Sequence, residues 1–331
     1  MTHTADLLAA AQRIADATLF PAALDVDRTG RLPRTHLDEL AAAGLYGLTA
    51  PAAYGGVGPD RFDVIGDVVA ALAGGCLATT FVWIQHLGPV LSMAAAAPAS
   101  WQQWLGPLAR GERRAGIALA GIRPGTGRIH VSAVPGGYQL TGETAWVTGW
   151  GLIDKLLIGA VDDDDLVHFF VLDADDAATL TATPTHLLAL QASNTVTLRF
   201  AGHVVPADRL SHAQPYADWA GTDAFGSTLN GFLSIGLATR CAALMGTDDL
   251  AVEISAARQS LLDATEAQIP EARATASLLA ARAATELMVQ TGSRSMLTDQ
   301  QAGRLYREAG FLLVFGSRPT IKQAMLHRLR A

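Results

Sequence analysis

The spacing of apolar residues divides the chain into a helical stretch, a strand-rich stretch and a second helical stretch. Leu7, Leu8, Ala11, Ile14 and Ala15 recur at three and four residues and predict a helix over residues 5–19. Pro33, a residue favoured in a first helical turn, opens a second helix that runs through Leu37, Leu40 and Ala41 to a stop at Gly44. A turn-rich loop follows, and Asp60 is placed to cap the next helix. Nearly all-apolar helices are predicted at 60–73 and 77–96, and a short one at 101–109. At Gly111 the period changes. Strands are predicted at 115–120, 129–134, 137–141, 144–148, 154–161, 166–172 and 194–201, with clear alternation from Thr195 to Phe200. Beyond Pro206 helical spacing returns at 223–246, 248–266, 270–291, 299–314 and 319–329. The expected organisation is an α+β multidomain chain: an N-terminal helical domain (1–110), a middle β domain (111–212) and a C-terminal helical bundle (213–331).

Composition narrows the partners. A chain of 331 residues can bury a large core shared by two or three lobes. Half of the residues are hydrophobic and only 17% are charged, which points to buried subunit surface, a dimer or a dimer of dimers. The net charge of −7, without any cluster of Lys or Arg, argues against nucleic acid as a partner. Val68 to Trp104 contains no Asp, Glu, Lys or Arg, long enough to cross a bilayer. Gly74-Gly75, Gly88-Pro89 and Pro98 break it, so two buried helices and no membrane span are expected. The N-terminus shows no basic segment followed by an apolar run, so no secretory signal is expected. Cys76 and Cys241 have no metal-like spacing and fit buried thiols in a reducing cytoplasm. The acidic run Asp162 to Asp165 reads as a solvated turn, and no metal site is expected.

The candidate chemistry sits between Ile117 and Thr148. A short apolar strand, Ile117 to Leu119, enters a turn holding Gly121, Pro124, Gly125 and Gly127, where backbone N–H groups can approach a ligand closely. A hairpin turning at Pro135-Gly136-Gly137 then delivers Trp146, Val147 and Thr148 on a strand end. A flat indole and a hydroxyl beside a glycine turn suit a flat aromatic ring carrying an anion. A lone Trp at a strand end is also an ordinary core residue, and Thr126 an ordinary turn hydroxyl.

In order and spacing, several segments resemble the acyl-CoA dehydrogenase family of flavoproteins across nearly the whole length. They are Leu32-Pro33 with Ala43 to Leu48; Pro51 to Gly58; Leu108 to Glu112; Gly136 to Thr148; Gln191 to Phe200 with Val205-Pro206; and Arg304 to Glu308. The resemblance implies an N-terminal helical domain, a middle antiparallel β-barrel-like domain and a C-terminal four-helix bundle. It also implies FAD between the middle domain and the bundle, an acyl-CoA or related thioester as substrate, and α,β-dehydrogenation. Carried over by position, Leu119 would offer backbone contacts to the isoalloxazine, Gly125 and Thr126 would hold the pyrophosphate, Trp146 would pack on the flavin, and Thr148 would bond near its N5.

The sequence also departs from that pattern. Ala120 replaces a hydroxyl residue that would face the flavin. The family's base position falls on Gly316, or on Phe315 with a one-residue slip, and neither takes a proton. Asp223, the nearest acid to the alternative base position on the first bundle helix, is a weak candidate and an ordinary helix N-terminal charge. The bundle reads about one helical hairpin short. The adenine-side loop is reduced to Gly292 to Ser295, where Arg294 is placed to offer positive charge to the pyrophosphate or to serve as a solvated loop residue. Besides a dehydrogenase with a displaced base, the readings left open are a non-catalytic or half-site subunit pairing with a paralogue, a purely structural relic, and a flavin monooxygenase using His86, whose commoner role is a core histidine. Residues 77–96 and the alanines of 270–284 fit either a large apolar cavity or tight helix packing.

Overall fold

The computed structural model describes residues 2–95, 99–124, 127–222, 224–316 and 318–330. Helix α1 (Thr2–Ile14) passes through one π-helical turn (Ala15–Leu19) into α2 (Phe20–Thr29), so the helix predicted at 5–19 is half of a longer rod. The wider turn lies where another backbone comes close: a β carbon on Gly75 would fall 2.9 Å from the Ala15 backbone. Then come α3 (Arg34–Ala42), α4 (Phe62–Gly75), α5 (Leu77–Ile84), α6 (Leu87–Ala95) and α7 (Ala99–Ala109). The single helix expected over 77–96 is therefore two. Pro89 lacks the N–H that would continue the ladder back to Gln85, and it sits in the first turn of α6.

Strands β1 (Ala115–Ala118), β2 (Ile129–Val134), β3 (Gly137–Val147), β4 (Lys155–Val161), β5 (Leu166–Asp173), β6 (Leu180–Pro184), β7 (Val196–Pro206) and β8 (Leu210–Pro215) form one sheet. Its order is β6-β7-β3-β2-β4-β5-β8, with β1 beside β4. The layer is mostly rather than wholly antiparallel: β4 runs parallel to both β1 and β2. Strand β3 joins two predicted strands. β6 and β8 were not foreseen; both are edge strands, β6 with one fully buried residue and β8 with none, so neither shows alternation. β4 and β5 are buried on both faces. Leu156, Ile158 and Phe170 face one core, while Leu157, Val167 and Phe169 face another shared with Trp101 and Trp219.

Helices α8 (Tyr216–Thr222), α9 (Ala224–Met245), α10 (Ala251–Asp263), α11 (Ile269–Thr291), α12 (Gln301–Val314) and α13 (Pro319–Arg330) complete the fold. Helix α10 is the short one, 13 residues between helices of 22 and 23. Packing between α4 and α9 is tight. A β carbon on Gly236 would lie 2.0 Å from the Ala70 carbonyl, and one on Gly66 would lie 2.5 Å from the Phe232 ring. Arg258 with Asp67 (2.6 Å), Arg307 with Asp27 (2.5 Å) and Arg240 with Asp16 also tie bundle to N-terminal helices.

No described helix is long and apolar enough to cross a membrane, and no metal-binding cluster occurs among the described residues. Asp162 accepts hydrogen bonds from the Asp164 and Leu166 amides and pairs with His168, which makes the acidic run a turn. Both cysteines are free and buried.

Candidate functional site

The turn after β1 is pinned to the sheet from below. Ile122 is buried against Gly159 of β4, where a β carbon would meet it at 2.2 Å. Gly121 presses on Thr144 and Ile129, so its missing side chain serves packing against β2 and β3, not the ligand approach the sequence suggested. Leu119 is half-buried and begins this turn, Ala120–Ile122. Gly125 and Thr126 lie outside the described residues.

The ladder between β3 and β7 is interrupted between Thr144 and Val147. Within that bulge Trp146 adopts φ +66°, rare for a non-glycine residue, and its indole is 59% exposed. It is therefore not a core aromatic. Val147 and Thr148 turn inward. The Thr148 hydroxyl lies 3.3 Å from Thr195 Oγ1, which lies 2.8 Å from Ser193 Oγ. Thr144 Oγ1 is buried without a partner among the described residues. The strand end abuts α5: a β carbon on Gly149 would be 3.2 Å from Val82. The neighbouring Phe81 meets Phe311 and Phe315 edge-on, with ring centroids 5.1 and 4.7 Å apart. Helix α5 thus joins the Trp146 bulge to the turn that ends α12.

That turn holds Phe315 and Gly316, the latter at φ +59°. Neither side chain titrates, and Asp223 lies outside the described residues. Glu308, an acid on α12, is buried in a two-oxygen pair with Arg304 (2.7 and 2.8 Å); burial pushes its carboxyl upward against the pull of that arginine. Two residues that the sequence reading missed stand behind the turn. Arg273 of α11, 1% exposed, donates to the Phe315 carbonyl at 3.2 Å, while its Nε and Nη1 have no partner among the described residues. Asn230 of α9 has Nδ2 3.2 Å from the place a Gly316 β carbon would occupy. Burial lowers the Arg273 guanidinium to about 10, still cationic at neutral pH. The signal was present: Arg273, Ser277, Ala280 and Ala284 form a buried stripe at helical spacing in which one member is a cation.

His86 is a core residue. Nε2 donates to the Leu108 carbonyl (3.1 Å), and Nδ1 accepts the Ala115 amide (2.9 Å). Burial pushes its pKa down to about 3, so it is neutral. Gly292 and Arg294 do not join Trp146. They sit at the opposite end of α12 from Phe315, where a Gly303 β carbon would be 2.6 Å from the Ser295 carbonyl. At 1.5 Å per residue that separation is about 20 Å.

A helical N-terminal region, a β-sheet layer and a C-terminal helical bundle define the acyl-CoA dehydrogenase-like fold. A sequence model described as "Acyl-CoA dehydrogenase, N-terminal domain" matches residues 2–112. Mitochondrial short-chain specific acyl-CoA dehydrogenase of Bos taurus is 24% identical over 208 residues, 59% of this chain and 50% of that protein. The structure of butyryl-CoA dehydrogenase from Megasphaera elsdenii superposes with a TM-score of 0.86 at 19% identity, covering 100% of this chain and 99% of that one. A nitrososynthase from Micromonospora carbonacea var. africana gives 0.84 at 19%, covering 100% and 96%. The match to the family's N-terminal domain covers residues 2–112, and the fold of the whole chain is that of the acyl-CoA dehydrogenases. The chain spans about half the length of the curated relatives it matches.

Proposed function

We propose that this chain is an FAD-binding oxidoreductase of the acyl-CoA dehydrogenase type that acts on an acyl thioester. The observation that carries the reading is the way α5 joins the exposed Trp146 bulge to the Phe315–Gly316 turn at the border of sheet and bundle. The residues there fit a flat tricyclic ring: an indole turned out of the core, the Leu119 backbone on the adjoining turn, and a buried Thr144 hydroxyl in want of a partner. Gly125 and Thr126 would take the pyrophosphate. Bound there, FAD supplies an acceptor for the hydride of the acyl β carbon. Trp146 would orient the ring by stacking. Ser193 and Thr195 hold the Thr148 hydroxyl, which would be the donor to the ring. Phe81, Phe311 and Phe315 keep water from the bundle side of the crevice.

The α proton needs an acceptor that Phe315 and Gly316 do not provide. Asp223, between α8 and α9, is the acid this reading assigns in this chain. Exposed Val289, Met296, Leu297, Tyr306 and Val314 on α11, α12 and their connection favour an oligomer, a homodimer or homotetramer or a pair with a paralogue. Gly292 and Arg294, remote from their own chain's Trp146, then serve the neighbour's cofactor.

The test is an anaerobic titration of the purified protein, followed at the flavin band, with a panel of acyl-CoA thioesters. Bleaching without O₂ consumption supports the dehydrogenase. Bleaching only after co-expression with a paralogue supports the half-site subunit. A folded protein that neither retains nor takes up FAD refutes both.

A further inference from the structure

Arg273 is buried, and among the described residues it has no counter-ion. Of its five N–H donors the structure uses one, to the Phe315 carbonyl, and no described carboxylate reaches the guanidinium. Capping the C-terminus of α12 does not account for it. A single cap bond and a favourable helix dipole return far less than it costs to take a full charge out of water. The cation also lies just past the first turn of α11, whose free amides carry the same sign. Its position suits a function that structure alone does not require.

The direction in which it points is informative. Gly316 is exposed, so its α carbon borders solvent. A β carbon built there would stand 3.2 Å from Asn230 Nδ2 and 3.9 Å from Arg273 Nη2. Two donors, one of them cationic, therefore stand beside the bare α carbon of Gly316, at the position where the resemblance puts a carboxylate on the protein itself. We propose that Asn230 and Arg273 form a carboxylate-binding subsite above Gly316, so that the acyl group accepted here carries a second, anionic end. The subsite lies beside the bundle turn and not at the glycine turn after β1, which matches the acyl end of a thioester better than its phosphates. Asn230, half-buried, meets the carboxylate directly, and Arg273 beneath supplies the charge. The inference rests on the thioester reading above.

Succinyl-CoA and butyryl-CoA have acyl groups of equal length that differ in one terminal carboxylate, so their CoA contributions cancel. Binding of each to the FAD-loaded protein is measured by anaerobic calorimetry, with thermal unfolding in free succinate and free butyrate alongside. The expected result is about tenfold or more tighter binding of succinyl-CoA, a ratio that falls to within about threefold in Arg273→Met and Asn230→Ala and is partly kept in Arg273→Lys. Equal binding of the two thioesters to the wild-type protein overturns the subsite and leaves the thioester reading standing. If neither thioester binds, yet succinate raises the unfolding temperature more than butyrate in the wild type and not in the variants, the thioester reading fails and the subsite stands. If the two free acids then act alike, the subsite fails too. Should Arg273→Met not fold, Asn230→Ala decides.

Discussion

His86 makes a quantitative claim that one pair of proteins can test. Its ring accepts the Ala115 amide and donates to the Leu108 carbonyl, joining the α5–α6 break to the entry of the sheet. Burial holds its pKa at about 3 in the folded chain, against 6.5 when unfolded. Because the folded pKa is the lower one, the unfolded chain binds the extra proton between these values. The stability contributed by a neutral His86 is thus complete above pH 6.5 and is lost as pH falls toward 3. The slope approaches about 1.4 kcal/mol per pH unit, so about 2 kcal/mol disappears between pH 6.5 and pH 5. His86→Gln removes the titration. At pH 7 it costs about 1–3 kcal/mol, because an amide cannot span both backbone groups with the ring's geometry and leaves one of them unpaired. Urea unfolding of both proteins from pH 7.5 to pH 4.5 reads the difference. The wild-type advantage is expected to shrink steadily below pH 6.5. Parallel curves would refute a buried, neutral His86 and reopen a protonatable role for it.

Other consequences follow from the packing. Gly236→Ala drives a β carbon into the Ala70 carbonyl and is expected to cost about 3 kcal/mol or more, read as a lowered urea midpoint. Gly310→Ala, in α12 with nothing within 4 Å of the new carbon, is expected to stabilise by up to about 1 kcal/mol in the same assay. Glu308→Gln leaves Arg304 buried without its anion and should cost about 3–5 kcal/mol; a loss below 1 kcal/mol would mean that the pair is solvated. Trp146→Ala is expected to change stability by less than about 0.5 kcal/mol, because the indole is exposed, while lowering flavin retention on dialysis.

Elements whose own residues bury a face were legible in the sequence: α11 and α12 to within two residues, and the β2–β3 hairpin from Pro135 and Gly136. Segments whose shape is dictated from elsewhere were not. β6 and β8 bury too little to alternate, and the division of 77–96 into α5 and α6 accommodates a His86 ring bonded to residues 22 and 29 positions away. The choice between cavity and tight packing was equally closed to sequence; Ala274, Ala276, Ala280, Ala283 and Ala284 of α11 prove to be fully buried.

The crevice combines both kinds of information. Its parts were marked by residue type, Trp146 and Thr148 on one strand and Gly316 after one helix, but what makes them a site breaks local rules. Trp146 holds a left-handed backbone and faces solvent, Gly316 is left-handed and bare, and Arg273 keeps its charge in the core. Each of these lowers stability if the protein only had to fold. A bulge that merely ended β3 would have kept its indole in the sheet core, and a helix that merely packed would carry Leu or Met at 273. The three departures lie around α5 and the end of α12, while the buried stripes of α9 and α11 beyond them follow ordinary packing. That concentration of strain at one end of the bundle is why the ligand is placed there.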